Sequence, residues 1–173
     1  MTTIPNALKA WQSANESPPE EADTIKLTFH TPPIVKLDTK SLGTLIQCQK
    51  LSLSTNAIEK MVPLTGMSKL RILSLGRNNI KKIEKLDDVA ESLEQLWISY
   101  NQITSLDGLA SLSKLTTLYC SNNQIKSFSE LDTLKSHSQL KDVLFLGNPM
   151  YDEVGGDKEK ARVEILKRLP QVR

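Results

Sequence analysis

Five segments repeat one pattern: CQKLSLSTNAI (48–58), LRILSLGRNNI (70–80), LEQLWISYNQI (93–103), LTTLYCSNNQI (115–125) and LKDVLFLGNPM (140–150). Each segment fits the template LxxLxLxxNxI with conservative replacements, and successive segments begin 22, 23, 22 and 25 residues apart. Five matches at nearly constant spacing do not arise from general amphipathicity. The sequence is therefore built from stacked repeats of one structural unit.

The stretch between one segment and the next is also periodic. In the first unit, apolar residues recur at every third position, at Ile58, Met61, Leu64 and Met67, and the next three units repeat this spacing. A period of three predicts a 3₁₀ or tight helical return, because side chains at i and i+3 eclipse there. The units are leucine-rich repeats of the short, 22-residue type. We therefore predict an α/β fold, a right-handed leucine-rich repeat solenoid of about six short parallel strands with helical returns and helical caps.

The Asn of the template falls at the same offset in every unit. The LxL step predicts a short strand with two side chains directed inward, and the Asn follows where the chain turns away from the sheet. Its side chain can bond backbone groups that the bend deprives of regular partners, and buried polar groups must be paired. We predict a structural Asn ladder of Asn56, Asn78, Asn101, Asn123 and Asn148.

We expect one leucine-rich repeat domain over residues 1–173. Residues 1–47 are predicted to form an N-terminal capping helix and a degenerate repeat, residues 48–150 the five regular repeats, and residues 151–173 a C-terminal cap helix. A solenoid exposes apolar faces at its ends and needs such caps. The N-terminal prediction assigns the first 20 residues to an amphipathic helix capped by Thr3, in which Trp11 packs on the core.

The C-terminal cap is predicted to be a helix that begins after Asp157 and runs to about Leu169. Its apolar face consists of Ala161, Ile165, Leu166 and Leu169. The other sides of this helix carry a basic bias, which is typical of a solvated face but would also suit an acidic partner surface.

Composition excludes several classes of protein. The chain has 173 residues, 39% of them hydrophobic, and a formal net charge of +2. This balance gives no charge footprint for nucleic acid or for a membrane surface, and no apolar run approaches the ~20 residues of a spanning helix. The N-terminus also lacks the features of a secretory signal, so we expect an intracellular protein without a nucleic-acid or membrane partner.

The sequence contains no recognisable catalytic or metal site. Cys48 and Cys120 are 72 residues apart and occupy inward positions of the repeat, so both are expected to be free, buried thiols. A structural zinc site normally needs four ligands at close spacings, and no nucleophile motif, phosphate loop or HExxH motif is present. We expect a non-enzymatic protein without metal or cofactor.

The remaining candidate is the outer face of the sheet, formed by residues that flank the inward pair of each strand. Apolar and aromatic residues fall on this predicted solvent-exposed, concave face, and such surface usually marks a partner site. An amphipathic partner helix is the simplest occupant, although a terminal segment or a second copy of the chain would also cover it. The predicted partner-binding residues are Ile72, Ser74, Gln95, Trp97, Ser99, Thr117, Tyr119, Asp142, Leu144 and Leu146.

Several stretches closely resemble the light chain 1 family of axonemal outer-arm dynein. They are LSLSTNAIEK, LRILSLGRNNIKKIE, LEQLWISYNQI, LFLGNPMY, the KRLP near the end and the N-terminal TTIPNALKAW. The resemblance runs through nearly the whole chain, although family members usually continue beyond the KRLP segment with another short strand and helix. It implies a non-enzymatic light chain in the cytoplasm and cytoskeleton, within the axoneme of a cilium or flagellum.

The resemblance also implies partners. A light chain of this family binds a dynein heavy chain near the microtubule-binding stalk tip and influences motor activity, and the heavy-chain contact maps here to Trp97, Tyr119, Leu144 and their neighbours. A tubulin contact is suggested for the family as well. Because tubulin is acidic, the candidates for it are Arg162, Lys167 and Arg168 on the basic C-terminal helix.

Two other classes of repeat protein remain alternatives. A regulatory subunit of protein phosphatase 1 is built from similar 22-residue repeats, but that class usually carries more of them than the five seen here. A nuclear ribonucleoprotein scaffold has related architecture, but the weak charge bias of this sequence disfavours it.

Overall fold

The computed structural model describes all 173 residues, which fold into a six-stranded parallel sheet with helices at both ends. The chain follows the repeats, one short strand per unit, and this confirms the predicted leucine-rich repeat solenoid. The strands are β1 Thr24–Lys26, β2 Lys50–Ser52, β3 Ile72–Ser74, β4 Gln95–Trp97, β5 Thr117–Tyr119 and β6 Asp142–Leu144; the helices are α1 Ile4–Asn15, α2 Thr39–Leu42 and α3 Lys158–Arg168.

The strands pair in sequence order from β1 to β6, and the register places equivalent residues of each repeat side by side. The central residues of β2 to β5 are Leu51, Leu73, Leu96 and Leu118, which pair in turn and are buried. Because side chains alternate across a strand, the residues on either side of each central leucine project from the opposite, outer face of the sheet.

The returns between strands carry the predicted inward side chains, but their backbone differs from the prediction in places. Short 3₁₀ turns occupy Asp87–Val89, Asp107–Leu109 and Phe128–Leu134. The first return contains no 3₁₀ turn, although its apolar residues Ile58, Met61, Leu64 and Met67 are buried. Gly66 lies where the next unit has its 3₁₀ turn, and its φ of 93° is outside the helical range. Periodicity therefore predicted which side chains point inward, but not the local backbone.

The N-terminal cap is shorter than the predicted 20-residue helix. Helix α1 begins after Thr3, whose Oγ1 accepts a hydrogen bond from the Asn6 N–H, and ends at Asn15. Glu16 adopts a left-handed conformation with φ of 51°, and Pro18 with the residues around it cannot continue an α-helix. Trp11 is half-buried and packs against the core, as predicted.

The C-terminal cap is helix α3, which begins after Asp157 as predicted. The Asp157 carboxylate accepts hydrogen bonds from the first-turn N–H groups of Glu159 and Lys160. The helix buries Ala161 and Ile165 against the last repeat, whereas Leu166 is only half-buried. None of the helices combines the length and apolar character that a membrane-spanning helix requires.

Candidate functional site

The strand register brings all ten predicted partner-binding residues to the outer face of the sheet. Across β3 to β6 one row of paired residues reads Ile72, Gln95, Thr117 and Asp142, and the next reads Ser74, Trp97, Tyr119 and Leu144. Ser99 and Leu146 follow their strands by two residues and form part of a third row. We call the side chains of Trp97, Tyr119, Leu144 and Leu146 the apolar patch.

The centre of the apolar patch is an aromatic pair. The rings of Trp97 and Tyr119 stack with their centroids 5.9 Å apart and their planes inclined by 27°. Trp97 remains 38% exposed although it packs on its neighbour. Stacked aromatic side chains have little conformational freedom left to lose, so a partner can contact them at low entropic cost.

The tyrosine of this pair is held in place by the neighbouring strand. The Tyr119 hydroxyl donates a hydrogen bond of 2.6 Å to the Asp142 carboxylate. This hydrogen bond raises the pKa of Tyr119 above its usual value. The phenol therefore stays neutral at physiological pH, and the hydrogen bond holds its ring beside Trp97.

The patch extends to the last strand through two leucines. Leu144 is 43% exposed and Leu146 is 40% exposed, and both side chains line a shallow groove between β6 and α3 that also includes Arg162. Exposed aliphatic side chains are ordinary when scattered, but here they adjoin an exposed aromatic pair. The four side chains form continuous apolar surface, which is unusual outside binding sites.

The other half of the face is small and polar, and several of its hydroxyls bond one another in pairs. The Ser54 and Ser74 hydroxyls are 2.7 Å apart, and the Ser121 hydroxyl donates to Ser99 Oγ at 2.9 Å. In each pair only one hydroxyl hydrogen is used, so the other hydroxyl can still donate to a group on a partner. This part of the face therefore allows a partner to approach closely and offers it a few hydroxyl donors.

Two residues at the rim of the face were missed by the sequence analysis. Tyr100 is 48% exposed, and the Arg77 guanidinium carbon lies 4.4 Å from the centroid of its ring. Both residues immediately precede a ladder Asn and have positive φ, 55° for Arg77 and 58° for Tyr100. Their residue types gave no signal for this position, since the residue before each ladder Asn differs from unit to unit.

The five Asn side chains form a continuous hydrogen-bonded column beneath the rim. In Asn78, for example, Oδ1 accepts the Ile58 N–H at 2.9 Å, and Nδ2 donates to the Leu75 and Leu53 carbonyls at 3.0 and 3.1 Å. Each Asn thus connects its own unit to the unit before it. The same arrangement recurs, with Asn56 half-buried and the rest buried, at Asn56, Asn101, Asn123 and Asn148.

The three candidate cations of α3 differ in how they are engaged. Lys167 pairs with Glu164 and Arg168 with Asp132, each at 2.9 Å, whereas Arg162 is exposed and forms no ion pair. The Arg168 side chain is only 30% exposed, and its bridge ties α3 to the return before β6. The structure therefore gives Arg168 a structural contact and leaves Arg162 the most available of the three.

Neither cysteine belongs to a reactive site. Cys48 and Cys120 are free and fully buried, and burial raises the pKa of Cys48 to about 11 and that of Cys120 to about 12. No group of three or more His, Cys, Asp or Glu side chains is placed to hold a metal ion.

Both native thiols should resist Ellman's reagent at pH 8, because the reactive thiolate is scarce when the pKa is raised and the reagent cannot reach a buried sulfur. Both should react fully after unfolding in guanidinium. A Leu146→Cys variant, whose added thiol is exposed, should release one equivalent of thionitrobenzoate at once. Rapid modification of the folded wild-type chain would show that the repeats open far more readily than this packing allows.

Comparison with known proteins adds evidence from whole sequences. A family model described as "Leucine Rich repeats (2 copies)" matches residues 91–133. The chain is 51% identical over 174 residues to Dynein axonemal light chain 1 of Chlamydomonas reinhardtii, an alignment covering 99% of this chain and 87% of that protein. It is 50% identical over 172 residues to the human protein of the same name, covering 99% of this chain and 90% of the relative.

Solved structures share the architecture at lower identity. A leucine-rich repeat protein of Leptospira interrogans superimposes with a TM-score of 0.67 at 26% identity, over 89% of this chain. This chain spans only 37% of the length of that bacterial structure. The structural comparison therefore concerns the repeat fold, whereas the sequence comparison extends over nearly the whole chain.

Proposed function

The chain belongs to the axonemal dynein light chain 1 family, and on that premise we propose that it binds a dynein heavy chain through the apolar patch, near the microtubule-binding region. In this proposal the light chain is non-enzymatic and regulates motor activity in the axoneme of a cilium or flagellum.

The observation that carries the proposal is the exposed, rigid aromatic pair within continuous apolar surface. Trp97 is 38% exposed, yet it stacks on Tyr119, which is itself fixed by Asp142. Trp and Tyr are the residue types most enriched among those that dominate binding energy. Nothing in the folded chain covers the patch, so a partner is the simplest explanation for keeping these side chains in water.

A tubulin contact is a separate part of the proposal and falls on α3. Its support is the exposed Arg162, which lies beside the groove next to Leu144 and Leu146. Because Lys167 and Arg168 are already paired with carboxylates, a contact with acidic tubulin would depend mainly on Arg162. This places the two proposed surfaces side by side at the C-terminal end of the solenoid.

The heavy-chain proposal predicts that Trp97→Ala/Tyr119→Ala weakens binding to a purified outer-arm dynein stalk head by at least about 30-fold, the range for loss of two central anchor residues. Titration calorimetry would measure both dissociation constants, after circular dichroism shows that the variant is folded. The matched control is Val163→Ala, which truncates an exposed apolar residue of α3 that is 49% exposed.

The control variant should bind like wild type. Equal affinity of the folded double variant and wild type would move the binding site away from the sheet. Lack of binding by the wild-type chain would contradict the heavy-chain proposal itself.

A further inference from the structure

We propose that the bound partner segment is one amphipathic helix of about four turns that crosses all six strands, with an apolar N-terminal half over β4–β6 and an acidic C-terminal half over β1–β2. This inference rests on the proposed function for the location of the site. It adds the secondary structure, the chemistry and the direction of the partner segment.

The charges on the sheet face are separated along the solenoid. Only three of the face-directed strand residues are charged: Lys26 and Lys50 on β1 and β2, and Asp142 on β6. Both lysines are exposed, and neither forms an ion pair. The face therefore has an apolar end with one carboxylate and a cationic end with two unpaired ammonium groups.

The backbone N–H and C=O groups of the partner segment must be hydrogen-bonded within that segment. The N–H and C=O groups of the strands are used in pairing along the sheet, so a segment lying on the face finds no ladder to join. A helix bonds its own backbone groups internally and leaves only side chains to make contacts. Each serine pair of the floor keeps one hydroxyl hydrogen free, which a polar side chain of such a helix can accept.

The width of the sheet sets the length of such a helix. Six strands about 4.8 Å apart span roughly 24 Å. At a rise of about 1.5 Å per residue, this distance corresponds to a helix of about 16 residues. Its first two turns would cover the apolar patch, and its last two turns would lie over Lys26 and Lys50.

The direction follows from the helix dipole. A helix has partial positive charge at its N-terminus and partial negative charge at its C-terminus. Asp142 lies at one end of the face and the two lysines at the other. The helix N-terminus is therefore favoured near Asp142 on β6, and the C-terminus near Lys26 and Lys50. Acidic side chains in the last turns would strengthen the contact with the lysines.

A second copy of this chain does not supply a matching helix. Helix α1 ends in Gln-Ser-Ala-Asn without an acidic residue, and α3 ends in Lys167 and Arg168. A basic C-terminal turn would be repelled by Lys26 and Lys50. The complementary partner is therefore a different protein with an acidic helix end.

Reversal of the two charges tests the proposed chemistry. Lys26→Glu/Lys50→Glu should weaken binding to the stalk head about tenfold at low salt, and the difference should shrink as the salt concentration rises. The matched control is Lys60→Glu/Lys81→Glu, two exposed lysines in the returns, which should bind like wild type. The Trp97→Ala/Tyr119→Ala variant could lose binding while the Lys26→Glu/Lys50→Glu variant binds like wild type. In that case the acidic-helix inference is wrong and the heavy-chain site stands.

Site-directed cross-linking tests the direction. The native thiols are buried, so a photo-cross-linker can be attached selectively at Ser52→Cys on β2 or Leu146→Cys beside β6. Mass spectrometry should find the Ser52 probe joined to heavy-chain residues about 13 positions C-terminal to those reached from Leu146, since four strand spacings separate the probes. The opposite order, or cross-links to two unrelated segments, would overturn the proposed single helix.

Discussion

Replacing Gly108 with alanine should lower the free energy of unfolding by about 3 kcal/mol or more, at the upper end of the cost of overpacking a core. An added Cβ would lie 1.8 Å from the carbonyl oxygen of Ile83 and 2.5 Å from its carbonyl carbon. These are backbone atoms, so rotation of a side chain cannot relieve the clash. The two returns would have to separate and thereby loosen the packing of the buried Leu106 and Leu109.

Gly76→Ala is the matched control for this substitution. Its added Cβ would lie 3.4 Å from the Ser99 carbonyl oxygen, an ordinary contact, and Gly76 does not have positive φ. Urea denaturation followed by circular dichroism would show a much lower midpoint for the Gly108 variant and little change for the Gly76 variant. Similar midpoints for both variants would mean that adjacent returns are not packed as closely as described.

The second large effect is expected at the Asn ladder. Asn78→Ala should cost about 2 to 3 kcal/mol of stability, because buried groups would lose their partners. The Ile58 N–H would lose its acceptor, and the carbonyls of Leu53 and Leu75 would lose a donor. These groups lie in two successive units, so the loss weakens the interface between repeats.

The adjacent residue provides a control of the same type. Asn79 is exposed, and its side chain forms no hydrogen bond within the chain, so Asn79→Ala should change the unfolding free energy by less than about 0.5 kcal/mol. Urea denaturation would give the unfolding free energy of both variants, with one common value for the dependence of that free energy on urea concentration. A comparable loss in both would indicate that the asparagines act through local conformation rather than through the ladder.

Much of the fold was predictable from sequence, because equivalent positions of successive repeats must pack on one another. An inward leucine in one unit must pack on the equivalent leucine of the next, as Leu96 does between Leu73 and Leu118. The same reasoning predicts that Trp97 and Tyr119 lie on one exposed face. Their stacking followed from being paired across β4 and β5.

The rim of the face was not predictable from residue types. The residue before each ladder Asn adopts positive φ, a conformation that favours glycine or asparagine. Tertiary context overrides this preference in most units, and the pattern had no local signature. The five residues before the ladder Asn are Thr55, Arg77, Tyr100, Asn122 and Gly147; Phe29, the equivalent residue of the degenerate repeat, precedes His30 and also has positive φ.

Polar pairs between residues far apart in the chain could not be predicted from the sequence either. The bridge from Arg168 to Asp132 and the hydrogen bond from Tyr119 to Asp142 join residues 36 and 23 positions apart. Such pairs depend on how side chains extend from packed elements, and hydrophobic periodicity carries no information about that. Sequence alone therefore could not distinguish Arg162 from Arg168, whereas in the structure Arg168 pairs with Asp132 and Arg162 forms no ion pair.

The most direct test of heavy-chain binding through the sheet face is a ¹⁹F NMR titration. The chain contains two tryptophans, one in the apolar patch and one in the N-terminal cap, so 5-fluorotryptophan labelling gives one reporter on the site and one internal control. Addition of unlabelled dynein stalk head should shift the Trp97 resonance and leave the Trp11 resonance in place. A shift of Trp11 alone, or binding by calorimetry without any shift of Trp97, would contradict the proposed site.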